Sequence, residues 1–259
     1  MFLIDTHTHL YLNEFDADRD ATVQRAFDKG IKYLLLPNID STSINEMLSL
    51  CQKYPDNCFS MIGLHPTSVK SDFKQLLLPM ESYFKTEHFY AIGETGIDLY
   101  WDKTFMNEQA EAFNIQMEWA VKYNLPIVIH SRNSLNEIIN LIKDFKNPSL
   151  KGIFHCFPGS LQQALEVVEM GFFIGVGGVV TYKNAGLAKV VEVIELKNIV
   201  LETDSPFLPP VPYRGQRNES AYIYDIAQYI AKIKNISIEE VAEITTQNAI
   251  ALFNLPIKD

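Results

Sequence analysis

Two histidines one residue apart, His7 and His9, follow the first short apolar run of the chain in Asp5-Thr6-His7-Thr8-His9. In extended backbone residues i and i+2 project to the same side, so both imidazoles can face one cavity. The combination recurs. Gly63-Leu64-His65-Pro66, Gly93-Glu94-Thr95-Gly96-Ile97-Asp98, His130-Ser131-Arg132, His155-Cys156-Phe157 and Glu202-Thr203-Asp204-Ser205-Pro206 each follow a short apolar run. Five of the six histidines therefore sit at run ends, joined by carboxylates from two further runs. A packed core has no use for so many polar groups in one place. Imidazoles and carboxylates converging on one mouth are a binding set for divalent transition metals. Asp204, close to any water activated there, is the candidate to accept its proton.

Such residues need elements to position them. The strand candidates are residues 2–4, 33–36, 59–63, 90–93, 127–129, 152–154, 172–176 and 199–201. They are rich in Ile, Val, Leu or Phe and do not alternate, as strands covered on both faces should not. Helical patterns lie between them. Phe105, Gln109, Ala112, Phe113, Gln116, Met117, Ala120 and Val121 fall on one helical stripe. Ser43 with Glu46, and Ser237 with Glu240, have capping-box spacing. Eight strands in 259 residues leave about 32 residues for each βα unit. The expected fold is α/β, a (β/α)8 TIM barrel in a single domain spanning residues 1–259, with functional side chains at the C-terminal strand ends. A doubly wound open sheet is the structural alternative.

Composition narrows the function. With 47% hydrophobic and 21% charged residues the chain is not disordered. Its 22 Lys and Arg against 32 Asp and Glu give a net charge of −10, which excludes a broad basic face for duplex DNA. Of five arginines, Arg132, Arg214 and Arg217 follow the fifth and eighth strands, and Arg suits bidentate phosphate contacts. An anionic substrate is therefore favoured over a neutral amide. Three cysteines without C-x-x-C spacing imply reduced thiols. Without a basic leader or a bilayer-length apolar stretch, the expected location is the cytoplasm, with no membrane association and no obligate protein partner. Gly175-Val176-Gly177-Gly178 reads as a tight turn before it reads as a phosphate cradle, and His88 as a surface residue. Glu202 is expected to orient a ligand. Tyr182, Tyr213 and Trp101 are expected to pack, with base stacking as their functional alternative.

The run-end motifs, together with His155-Cys156-Phe157-x-Gly159 and Tyr213-Arg214-Gly215-x-Arg217-Asn218-Glu219, resemble the TatD-type deoxyribonuclease family over essentially the whole chain. That resemblance implies a metal-dependent hydrolase of the amidohydrolase-like barrel superfamily. It implies that His7, His9, Glu94 and Asp204 hold one divalent ion, and that Glu94 bridges to a second held by His130 and His155. Mg, Mn or Zn would serve. Two ions would leave the mouth locally positive inside an acidic protein. Catalytic roles are then expected for Asp204, Glu94 and His65, with His65 a substrate contact or proton donor to the leaving group. Substrate contacts are expected from His65, Arg132, Arg214 and Arg217. The preferred reading is phosphodiester hydrolysis by a deoxyribonuclease, as a 3'-5' exonuclease on single-stranded DNA or DNA ends. The alternatives are a small-molecule amidohydrolase or lactonase on the same barrel, disfavoured by Glu94 where many relatives carry a bridging Lys, and a metal-loaded accessory protein.

Overall fold

The structure, a computed structural model, describes residues 1–256. Among these, eight strands alternate with helices: β1 (Leu3–Asp5), β2 (Ile31–Pro37), β3 (Cys58–Met61), β4 (Ile92–Asp98), β5 (Ile127–Arg132), β6 (Gly152–Phe154), β7 (Phe173–Val176) and β8 (Ile199–Leu201). The helices are α1 (Arg19–Asp28), α2 (Ile44–Lys53), α3 (Phe73–Met80), α4 (Met106–Lys122), α5 (Leu135–Phe145), α6 (Leu161–Glu169), α7 (Leu187–Val193), α8 (Ile223–Lys234) and α9 (Ile238–Phe253). One helix follows each strand, and α9 is additional.

All strand pairs are parallel, in the orders β1-β2-β3 and β4-β5-β6-β7-β8. Single hydrogen bonds continue the ring where the regular ladders stop. Ile62 donates its N–H to Ala91 (3.2 Å) and Gly93 to Ile62 (2.8 Å), joining β3 to β4. Thr6 donates to Leu201 (3.0 Å) and His9 to Ser205 (2.8 Å), joining β8 to β1. The molecule is a (β/α)8 barrel, as the alternation of elements predicts.

Side-chain alternation sorts the core into two layers. Ile4, Leu35, Met61, Val128, Ile153 and Val200 fill the barrel interior. Their strand neighbours, such as Leu34, Leu36, Ile127, Ile129 and Ile174, pack outward against the helices. Strands apolar on both faces do not alternate in sequence, and this is why. Ala249, Leu252 and Phe253 of α9 join the interior layer, so α9 closes the end of the barrel opposite the functional mouth.

The sequence-derived strand positions hold to within a few residues except in β4 and β5, which run on through the mouth motifs. Gly96 pairs with His130, Ile97 with Ser131 and Asp98 with Arg132. Gly96 permits this: at φ +137° a Cβ would lie 2.1 Å from the His130 carbonyl oxygen. The stripe on α4 carries two polar residues inward. Gln109 accepts the Asp98 N–H (2.8 Å), and Gln116 accepts the Leu64 N–H (2.8 Å) while donating to Thr95 Oγ1 (2.6 Å). These amides clamp two mouth segments from behind.

Of the two expected capping boxes, Ser237 accepts the Glu240 N–H (3.1 Å) and caps α9. Ser43 does not cap α2, because its Oγ accepts the Ile39 N–H (3.0 Å) and donates to the Asp40 carbonyl (3.0 Å) inside the preceding turn. Phe253, 2% exposed beneath the barrel, predicts the weight of the plug. Phe253→Ala should lower unfolding free energy by about 3–5 kcal/mol, measured by urea titration.

Candidate metal centre

The β1, β4, β5, β6 and β8 ends bring His7, His9, Glu94, His130, His155 and Asp204 together, and the β3 end adds His65. His7 Nε2 lies 3.2 Å from His9 Nε2, 3.1 Å from Glu94 Oε2 and 3.8 Å from Asp204 Oδ1. His9 Nε2 is 3.6 Å from Glu94 Oε2 and 3.5 Å from Asp204 Oδ1. On the other side Glu94 Oε1 meets His130 Nδ1 at 2.9 Å, His65 Nε2 at 3.5 Å and His155 Nε2 at 3.7 Å. Asp204 Oδ1 is 3.9 Å from His155 Nε2. His7, His9, Glu94 and His155 are buried, whereas the Asp204 side chain retains 15% exposure.

Hydrogen-bond partners behind the imidazoles decide which nitrogen is bare. Tyr11 donates its O–H to the Pro37 carbonyl (2.6 Å), so its oxygen accepts from His9 Nδ1 (3.0 Å) and His9 Nε2 is left without a proton. Asp98 Oδ2 meets His130 Nε2 (3.0 Å) and Glu94 Oε1 meets its Nδ1 (2.9 Å), and against burial these two acceptors raise the His130 pKa. Glu202 Oε2 lies 3.2 Å from His155 Nδ1 as an ion-pair contact. His65 is the reverse case. Its Nδ1 accepts the Thr67 N–H (3.2 Å), so its proton sits on Nε2, facing the cluster.

Bare nitrogen lone pairs and carboxylate oxygens 3–4 Å apart repel unless a cation lies among them. Ligands about 2.0–2.2 Å from a tetrahedral ion would stand roughly 3.3–3.6 Å apart. The observed spacings surround that value, and three donor groups among these residues can each hold a metal ion: His7-His9-Glu94, His7-His155-Asp204 and His65-Glu94-His130. The electrostatics agree. Burial opposes charge on Glu94, yet His7, His65, His155 and His130 hold it well below the usual carboxylate range. Burial opposes charge on Asp204 too, and His155, His9 and His7 outweigh it. Burial likewise works against a proton on His155, but Glu202, Glu94 and Asp204 push its pKa to about 10. The pocket is a field built to keep positive charge.

Two residues behind this centre escaped the sequence reading. Asp98, held at about 2 against burial by His130 and the Tyr100 and Trp101 N–H groups, follows Glu94 by four residues on the same strand. Tyr11 follows His9 by two. The period of two that pairs His7 with His9 extends to both, and was the available signal. Glu202 stands where an orienting carboxylate was expected, and Gly175 makes room for it: a Cβ there would lie 2.5 Å from Glu202 Oε2. A Cβ on Gly178 would lie 2.3 Å from the Leu208 carbonyl oxygen. Close packing therefore accounts for two of the three glycines in that run.

The arginines divide. Arg132 lies over the Tyr100 ring (3.9 Å) and Arg214 over Tyr182 (4.2 Å), both exposed and without a carboxylate partner among the described residues. Arg217, expected to contact substrate, is instead turned back on Asp18. It forms a two-pronged pair at 2.7 and 2.8 Å and also donates to the Glu14 carbonyl (2.7 Å). With Arg25–Glu219 (2.6 Å) it ties the loop after β8 to α1, and its planar fork is occupied. Tyr213 stacks on Tyr222 at 3.9 Å, and His88 is exposed away from the cluster.

A parallel (β/α)8 barrel whose mouth gathers imidazoles and carboxylates around shared positions has the architecture of a metal-dependent barrel hydrolase. Within that class the chain belongs to the TatD related DNase family, whose family model matches residues 4–254. It is 36% identical over 254 residues to the uncharacterized metal-dependent hydrolase YabD of Bacillus subtilis (strain 168), covering 98% of this chain and 99% of that protein. It is 30% identical over 260 residues to the 3'-5' ssDNA/RNA exonuclease TatD of Erwinia tasmaniensis, covering 98% of this chain and 100% of that one. The crystal structure of YjjV, a TatD homologue from Escherichia coli K12, superposes with a TM-score of 0.90 at 29% identity, with 98% of each chain covered.

Tyr11→Phe removes the group that holds the His9 proton on Nδ1. Metal affinity should fall about 10–100-fold, measured by calorimetric titration of the metal-stripped protein with Mn²⁺ or Zn²⁺. Unchanged affinity would refute the tautomer assignment.

Proposed function

We propose that the protein is a phosphodiesterase, a deoxyribonuclease that works with two divalent ions (Mg, Mn or Zn) as a 3'-5' exonuclease on single strands or DNA ends. The observation that carries this reading is the division of Glu94 between two donor groups. Its Oε2 faces His7 and His9, and its Oε1 faces His130, His65 and His155. A carboxylate shared in this way fits the bridge of a paired-ion site, with His7, His9 and Asp204 on one side and His130 and His155 on the other. Ions held there would supply Lewis acidity to a phosphoryl oxygen and acidify the attacking water.

The chain's own residues supply the rest. Asp204, the more exposed carboxylate of the cluster, accepts the proton of that water. Its left-handed backbone (φ 59°) is held by its N–H to the His7 carbonyl (2.9 Å), which keeps the carboxylate over the mouth. His65, with its proton on Nε2, contacts the substrate by donating a hydrogen bond to the leaving oxygen. Burial lowers its pKa, so the ring is neutral and stabilises that oxygen by hydrogen bonding, while solvent supplies the proton that completes the leaving group. Arg132 and Arg214 meet the flanking phosphates.

The surrounding charge of −10 leaves such a mouth suited to a chain end and unsuited to a long duplex track. The Erwinia relative is named as a 3'-5' exonuclease of single-stranded DNA and RNA, which supports single-stranded nucleic acid as substrate. No described helix is long and apolar enough to cross a membrane, and the three free cysteines agree with a reducing cytoplasm.

Asp204→Asn should reduce turnover about 10²–10⁴-fold with an unchanged circular dichroism spectrum, because the proton acceptor is lost while the shape is kept. The companion measurement is hydrolysis of single-stranded DNA, duplex DNA, an amide and a lactone across Mg²⁺, Mn²⁺ and Zn²⁺. Lactone or amide turnover without DNA degradation would overturn the proposal in favour of a small-molecule hydrolase.

A further inference from the structure

Trp101, 69% exposed, is the most exposed large apolar side chain among the described residues, and its neighbour Tyr100 is 54% exposed. Exposed rings of this size gain nothing from the core, yet the backbone beneath them is tightly fixed. Asp98 Oδ1 accepts the N–H groups of both Tyr100 (2.9 Å) and Trp101 (3.2 Å). The two rings meet edge to face, with centroids 4.9 Å apart. The Arg132 guanidinium lies 3.9 Å from the Tyr100 ring centre and 5.2 Å from that of Trp101. A rigid backbone that presents the exposed Trp101 ring beside a Tyr100 ring backed by a cation is preorganised for a flat partner.

The position of this patch identifies the partner. The other oxygen of Asp98 holds His130 Nε2 (3.0 Å), so one carboxylate fixes both the patch and a candidate metal-binding imidazole. Tyr100 follows Asp98 by two residues in a turn closed by the Asp98 carboxylate, and Arg132 follows His130 by two on β5, roughly 7 Å in extended chain. We propose that Tyr100, Trp101 and Arg132 form a stacking platform for one unpaired nucleobase of single-stranded nucleic acid bound at the candidate metal centre. This rests on the phosphodiester reading of that centre and adds to it the feature of the substrate that is recognised. A base within a duplex is stacked on both faces and has none to offer Trp101. An unpaired base has two, whatever its identity, so the platform selects for strandedness and tolerates sequence.

The protein itself carries the reporter, because the other of its two tryptophans, Trp119, is buried at 4% exposure. Metal-loaded protein is titrated with a hydrolysis-resistant phosphorothioate oligothymidine and with an abasic oligomer of equal length and charge. The intact strand should quench Trp101 fluorescence and bind about 5- to 150-fold more tightly than the abasic one. That preference should collapse in Trp101→Ala and return in Trp101→Phe, which restores an aromatic face. Equal affinity for the two strands, or a preference untouched by Trp101→Ala, overturns the platform while leaving phosphodiester hydrolysis standing. Quenching with the expected preference, but no cleavage of ordinary oligonucleotides under any metal, supports the platform and overturns the hydrolytic reading instead.

Discussion

Unshielded lone pairs pressed against carboxylates are the constraint around which this molecule is organised. His7 and His9 stand Nε2 to Nε2 at 3.2 Å beside Glu94, and His130 Nδ1 stands 2.9 Å from the same carboxylate. Buried this deeply, such groups hold together only around positive charge. The raised pKa of His155 is how the protein alone answers that demand, by retaining a proton where Glu202, Glu94 and Asp204 converge. A divalent cation answers the same demand with more charge and a fixed geometry.

Much of the remaining structure serves to keep the cluster from relaxing. Tyr11, Asp98 and Glu202 hold the far side of three imidazoles. Asp5 ties the ends of β1 and β8, accepting from the Thr203 N–H (2.9 Å) and Oγ1 (2.6 Å) while burial pushes its carboxyl up to about 7. Gln109 and Gln116 reach from α4 to hold the segments after β4 and β3. On the far side, α9 seals the barrel with Leu252 and Phe253, so the polar end can remain open without exposing the core.

The arginines show how little residue type says about role. Arg132, Arg214 and Arg217 are alike in composition and in following a strand end. Two lie over aromatic rings with no carboxylate partner among the described residues, whereas the third is locked to Asp18 in the latch between α1 and the loop after β8. The same holds for the aromatic candidates. Tyr213 is stacked on Tyr222, while Trp101 is left uncovered.

Strand count, barrel class and the identity of the converging histidines and carboxylates were legible in the sequence, because they depend on local rules. Apolar runs mark strands buried on both faces, and polar residues immediately after such runs mark the C-terminal mouth. Helix starts were only partly legible: Ser237 caps as its spacing implies, whereas Ser43 is claimed by the turn before it. The extension of β4 through Glu94 to Asp98 depends on pairing with β5, a partner some 30 residues away that no local pattern specifies. Which imidazole nitrogen is bare, and whether an arginine meets a carboxylate or is left for an anion, depend on groups brought close by chain closure across about 200 residues, as with Arg217 and Asp18. Sequence alone determined which chemical groups gather at the mouth. Tertiary structure decided which way each one faces, because the orientation of a side chain is set by the neighbours that its hydrogen bonds can reach.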